Sequence, residues 1–162
     1  MTPEETLEYT KRLKRNMRYL QSHAVYVGLP REKVGDKVYE KGKASTKADE
    51  KIITVLKVGY WHEFGRGHNP KRSFLRVPFR IKRADLNRAI AKQIELMQNG
   101  LDPVKGMGRI GAIARNISVG AFTSKGYGTW TKLSERTTAI KGSTQILIRD
   151  GILRGSITWV IR

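Results

Sequence analysis

The stretch V-G-Y-W-H-E-F-G-R-G-H-N-P-K-R-S-F-L-R-V-P-F, Val58 to Phe79, closes an apolar periodic segment, turns at glycine, and re-enters through a basic arm and a proline. Upstream, Ile52, Val55, Leu56, Gly59, Tyr60 and Phe64 recur at helical spacing, and Gly65 stands where a helix stop belongs. His62 and Glu63 therefore fall in the last turn of a helix. Two histidines and a glutamate within seven positions raise the question of a metal or catalytic centre. A zinc-binding helix needs its second histidine four positions after the first, so that both nitrogens face one metal. Position 66 is Arg, and His68 lies beyond the glycines on a different element, with no third ligand at a recognisable spacing. No metal and no cofactor are expected here. Glu63 is expected instead to accept from backbone donors of the glycine turn, as a structural corner.

Downstream, Ser73 to Asn99 reads mostly as helix after Pro78, with Ile81, Leu86, Ala89, Ile90, Gln93, Ile94 and Met97 on its buried side. Asp102 and Pro103 start a further helix carrying Met107, Ile110, Ile113, Ala114 and Ile117. Gly106, Gly108 and Gly111 have the spacing of a dinucleotide fingerprint, but no strand precedes them and the next acid is Glu135. They are expected to let two helices approach closely. The C-terminal part returns to β signals, Ile146 to Ile148 and Ser156 to Ile161, around Asp150-Gly151, with a helical turn over Gly151 to Gly155 as the alternative.

Upstream of the deciding stretch, Thr2, Pro3 and Glu5 make a capping box and a first-turn proline for an amphipathic helix over about residues 2–21. Tyr9, Leu13, Met17 and Leu20 form its docking stripe. A-V-Y-V-G-L, Ala24 to Leu29, is short, β-branched and closed by Pro30, which predicts a strand. From Arg31 to Glu50 charge and glycine replace apolar patterning, which predicts a mobile charged loop. The expected fold is one α+β domain over residues 1–162, a small mixed or antiparallel sheet packed against several α-helices.

Composition narrows function further. With no cysteine there is neither a disulfide framework nor a thiolate metal site, which suits a reducing cytoplasm. Apolar runs stop well short of the roughly 20 residues of a membrane span, so no membrane association is expected. Lys and Arg number 32 against 14 Asp and Glu, a net charge of +18. Between Arg66 and Lys92 there are nine cations and one acid, Asp85. Such a field attracts nucleic acid or an acidic protein surface. Arg72, Arg76, Arg80, Lys82 and Arg83 are the candidate surface for DNA or an acidic partner, with Phe74, Leu75, Val77 and Phe79 anchoring the opposite side.

Three blocks, in order, resemble a known family: V-Y-V-G-L-P at 25–30, H-E-F-G with N-P-K-R-S-F-L-R at 62–76, and a C-terminal block. In the last, W-T-K-L-S-E-R-T from Trp130, K-G-S-T from Lys141 and I-L-I-R-D-G-I-L-R-G-S-I from Ile146 are similar to that family's aromatic-P-L-S, K-G-S and L-I-D-T-G-x-L-x-x-S-I elements. The family is the tail-completion, or head-tail joining, proteins of tailed bacteriophages, including virion-morphogenesis proteins of Mu-like phages and prophages. This chain has Arg149-Asp150-Gly151 where the family often shows Asp-Thr-Gly, and N-P-K-R-S-F where I-P-A-R-P-F is usual.

The resemblance implies a non-enzymatic virion protein, made in the host bacterial cytoplasm and sited in the tail or neck. There it completes the head-proximal end of the tail and helps join it to the head. Its expected partners are the tail terminator or tube and head-completion or connector proteins; closed symmetry, the usual way identical subunits finish a tube, adds a ring-forming homo-oligomer such as a hexamer, and the positive charge suits contact with packaged DNA or an acidic tube lumen. His62, Glu63, Phe64, Gly65, Pro70, Phe74, Leu75, Trp130, Leu133, Gly151, Leu153 and Ser156 are then motif residues of structural character. Two other classes compete: a basic nucleic-acid-binding protein, which accounts directly for the charge, and a metal-dependent nuclease using His62, Glu63, His68 and Asn69.

Overall fold

The computed structural model describes residues 2–34, 54–66, 69–142, 144–147 and 151–162. The N-terminal capping box forms as the sequence dictates: Glu5 N–H donates to Thr2 Oγ1 at 3.2 Å, and Thr2 N–H to Glu5 Oε2 at 2.6 Å. Helix α1 (Pro3–Ser22) follows, then strand β1 (Val25–Gly28). Docking of α1 follows its apolar stripe at Tyr9, Leu13 and Leu20, which are half-buried, and departs from it at Met17. Its buried residue is Asn16, whose side-chain amide donates to Met97 O at 3.1 Å, while Met17 is 42% exposed. The bond to a carbonyl at the end of a helix seats Asn16, in place of Met17, at the centre of that side.

Arg31 to Val34, which charge assigns to the beginning of a loop, form a helical turn, α2 (Arg31–Val34), and Val34 is buried in the core. Pro30 sets this up, its carbonyl accepting from Lys33 N–H and Val34 N–H at 3.0 and 2.9 Å. The rest of the expected mobile loop, residues 35–50, lies outside the described residues.

Helix α3 (Val55–Phe64) is capped by Thr54, whose side chain accepts from Lys57 N–H at 3.3 Å. Its buried positions are Val55, Gly59 and Glu63, one per turn, whereas Tyr60 and Phe64 face out. The helix stops at Gly65, where φ is +79°, a value that a side chain disfavours. Arg66 and Asn69 then pair as a short antiparallel bridge, returning the chain along α3 so that Arg72 N–H donates to His62 O at 2.8 Å.

Helices α4 (Arg76–Ile81) and α5 (Arg83–Gln98) follow, and Asp102 caps α6 (Pro103–Thr123) by accepting from Lys105 N–H at 3.0 Å. Helix α6 organises the molecule: it packs on α5 and α4 and crosses both strands. The closing elements are α7 (Glu135–Lys141), α8 (Ile152–Ser156) and strand β2 (Thr158–Ile161). The strand expected at 146–148 is not formed at Ile146 and Leu147, which are a bend. Ile146 is instead a buried core residue, and the helical alternative holds for Ile152 to Ser156. Strand β2 pairs antiparallel with β1, Val25 opposite Ile161 and Gly28 opposite Thr158.

The glycines of α6 accommodate different neighbours from those the sequence suggests. A Cβ at Gly106 would lie 2.5 Å from Met97 Sδ of α5, but one at Gly111 would lie 2.6 Å from Trp159 Cδ2 of β2. Only the first serves a helix–helix approach; Gly108 and Gly111 admit an indole. The fold is a single α+β domain, a two-stranded antiparallel sheet among the described residues packed against several helices.

Candidate functional site: a buried carboxylate node

The buried core unites residues remote in sequence: Val34, Val55, Phe74, Phe122, Trp130, Ile146, Leu153 and Ile157 belong to one cluster. The segment 72–75 passes through it in non-helical form, so its backbone groups need partners there. Glu63 supplies them for the N–H groups of Phe74 and Leu75 from the last turn of α3. Its carboxylate accepts from Ser73 Oγ at 2.7 Å, Phe74 N–H at 2.8 Å, Leu75 N–H at 3.0 Å and Arg76 N–H at 3.1 Å. Arg76 Nε donates to the same carboxylate at 3.1 Å, and the Arg76 guanidinium lies 4.1 Å from the Phe64 ring centroid.

The donors are thus those of the α4 entry, not of the glycine turn expected from the sequence. Helix α4 begins without a side-chain cap from its own N-cap residue, Leu75. Its first free N–H, of Arg76, goes to Glu63; the second, of Val77, goes to Ser73 Oγ at 3.0 Å; the third position is Pro78, which has none. A negative charge at that helix end is also electrostatically favourable. The carbonyls are accounted for in the same way. Ser73 O accepts from Trp130 Nε1 at 3.0 Å, and Phe74 O accepts from Ser118 Oγ at 2.7 Å.

Burial alone would push Glu63 up, but the bonds from Ser73, from the Leu75 and Arg76 N–H groups and from the Arg76 guanidinium outweigh it. The carboxyl is held below its ordinary range. An ionised group that accepts throughout and faces a bound cation is suited to holding structure; as a general base it has no accepting capacity left for substrate.

Other motif residues surround this node. Leu75 and Leu133 pack on the core from its edge, Gly151 opens α8 at φ +69°, and Leu153 and Ser156 are buried. Phe64 is 47% exposed and Pro70 is at the surface. Asn69 is in the bridge with Arg66, and His68 lies outside the described residues. Among the described residues no group of three or more His, Asp and Glu side chains gathers as a metal site would require.

The candidate cationic surface does not hold together as a set. Arg72 is 7% exposed, and its guanidinium donates to Thr131 O at 3.4 and 3.3 Å; burial lowers its pKa. Arg76 belongs to the node. Lys82 pairs with Asp85 at 3.2 Å, and Asp85 also takes Arg88. Arg80 and Arg83 remain as exposed cations without an acidic partner among the described residues. The linear run of charge misleads because Arg72 is buried, while Arg76 and Lys82, though part-exposed, each pair with a carboxylate of the chain.

Sequence reasoning missed Ser73, Ser118 and Thr131, all of which serve the backbone or side chains of this segment. The one signal available for Ser73 was a hydroxyl residue just before a proline-bearing helical turn. Comparison of the chain with family models, curated proteins and solved structures returned no match.

Proposed function

We propose that this chain is a structural virion protein of a tailed phage or prophage, completing the head-proximal end of the tail and helping to join tail to head. In this reading it acts without catalysis, as a ring of identical subunits beside the tail tube or terminator and the connector proteins.

One observation carries the reading: the three sequence blocks that resemble the tail-completion family meet at a single point. At Gly59 of α3, where a Cβ would sit, Leu29 Cδ1 lies at 2.5 Å, Leu153 Cδ1 at 3.4 Å and Phe74 Cζ at 3.6 Å. Each leucine or phenylalanine comes from a different block. Motifs that recur together because they build one core are expected of a family signature that is structural, and Glu63 has the same character. The test is an early stop codon in the coding sequence of a phage that carries it. Filled heads and separate, unjoined tails in electron micrographs of the lysate are expected; a normal yield of infectious particles overturns the reading.

A further inference from the structure

The outward side of α3 is unlike the rest of the surface. Tyr60 and Phe64, one turn apart, are 59% and 47% exposed, with ring centroids 4.8 Å apart. Between them in sequence, the Trp61 ring has Lys57 Nζ at 5.4 Å and the Arg66 guanidinium at 5.7 Å from its centroid. Arg76 lies over Phe64. The only carboxylate of this helix, Glu63, points the other way and is 4% exposed, wholly occupied by the node. The result is a stack of Arg76, Phe64 and Tyr60 with the Tyr60 ring exposed, beside a Trp61 ring that carries two cations, and among the described residues α3 adds no acid to that side.

We propose that this face binds single-stranded nucleic acid, with a base stacking on the exposed ring of Tyr60, at the open end of the Arg76–Phe64–Tyr60 stack, and the backbone phosphates meeting Lys57 and Arg66. Base–aromatic stacking needs an exposed ring face, and stacking is indifferent to base identity. Flanking cations supply the phosphate contacts, within a chain whose net charge is +18. A duplex keeps its bases stacked internally and makes no use of the rings. A membrane interface would draw on aliphatic side chains as well as rings, and the outward positions of this ten-residue helix offer Leu56 alone. The proposal rests on this surface and stands or falls separately from the virion reading.

The experiment is fluorescence anisotropy with a labelled oligothymidylate of about 20 nucleotides and, separately, a duplex of the same length. The wild-type chain is expected to prefer the single strand at equal salt. Tyr60→Ala with Phe64→Ala, both at exposed positions, is expected to weaken single-strand binding by about tenfold or more and duplex binding by less than about twofold. Tyr60→Trp with Phe64→Trp is expected to restore it. Lys57→Gln with Arg66→Gln is expected to flatten the salt dependence of single-strand binding. Circular dichroism on each variant confirms folding. Wild-type affinity in the double alanine variant, an equal loss on both substrates, an unchanged salt slope, or loss of binding to phosphatidylserine-containing vesicles with oligonucleotide binding intact would each overturn the proposal.

Discussion

At the scale of single residues, the account turns on Glu63. Replacing it with Gln leaves one acceptor oxygen where two served, and sets an amide donor against the N–H groups of the α4 entry. Each buried donor left unpaired costs about 1–3 kcal/mol, so Glu63→Gln is expected to destabilise the fold by about 2–4 kcal/mol in a urea titration. Arg80→Ala, on an exposed cation, is expected to stay within about 0.5 kcal/mol of wild type. Glu63 also gives the fold an acid-sensitive step. Its folded-state pKa is lowered, so between that value and the ordinary 4.5 the unfolded chain binds more protons. Its contribution to stability is complete above the ordinary value and is lost as pH falls through the folded-state value. Urea midpoints measured downward from neutral pH are expected to decline below the ordinary glutamate range in wild type, and less steeply in Glu63→Gln.

At the scale of elements, α6 packs tightly on β2. The Cβ of Gly111→Ala would meet the Trp159 ring at 2.6 to 2.9 Å, and a rigid indole yields only if the strand moves. A loss of about 1–3 kcal/mol is expected, measurable as a lowered midpoint in thermal unfolding. Gly155→Ala, in the helical turn α8 with open space at its Cβ, is expected to be neutral or stabilising by up to about 1 kcal/mol. How legible these elements were depended on whether their determinants were local. The capping box of α1, strand β1, and the Asp102-Pro103 start of α6 could be read because a few neighbouring residues decide them. The part of Asn16 in seating α1 could not, since it is fixed by a carbonyl 81 positions away. Nor could the pairing of β2 with β1, strands from opposite ends of the chain, because apolar β-branched runs reveal an element and not its partner. Ile146 read as strand on the same local signal, and core burial claims it without any ladder. The corner at Glu63 was legible as a kind of role; its donors were not, because they arrive after a turn whose geometry Gly65 sets.

At the scale of the whole molecule, the unmatched chain is read as a structural protein because its most distinctive sequence blocks are spent on its own core. On the proposed reading the fold requires no metal. Dialysis against EDTA is expected to leave the thermal unfolding midpoint unchanged, and elemental analysis to find no stoichiometric metal; a midpoint lowered by EDTA and restored by zinc would return His62 and His68 to consideration. The net charge of +18 belongs to this scale too, since it acts as a field over the whole surface in addition to any local group of cations. The most direct measurement of the central claim is a cryo-electron-microscopic reconstruction of the intact virion that carries this chain. The account predicts density for this fold repeated as a closed ring where the tail meets the head, with α3 and the Glu63 node inside each subunit. Particles complete at the head–tail junction and lacking the chain would contradict it.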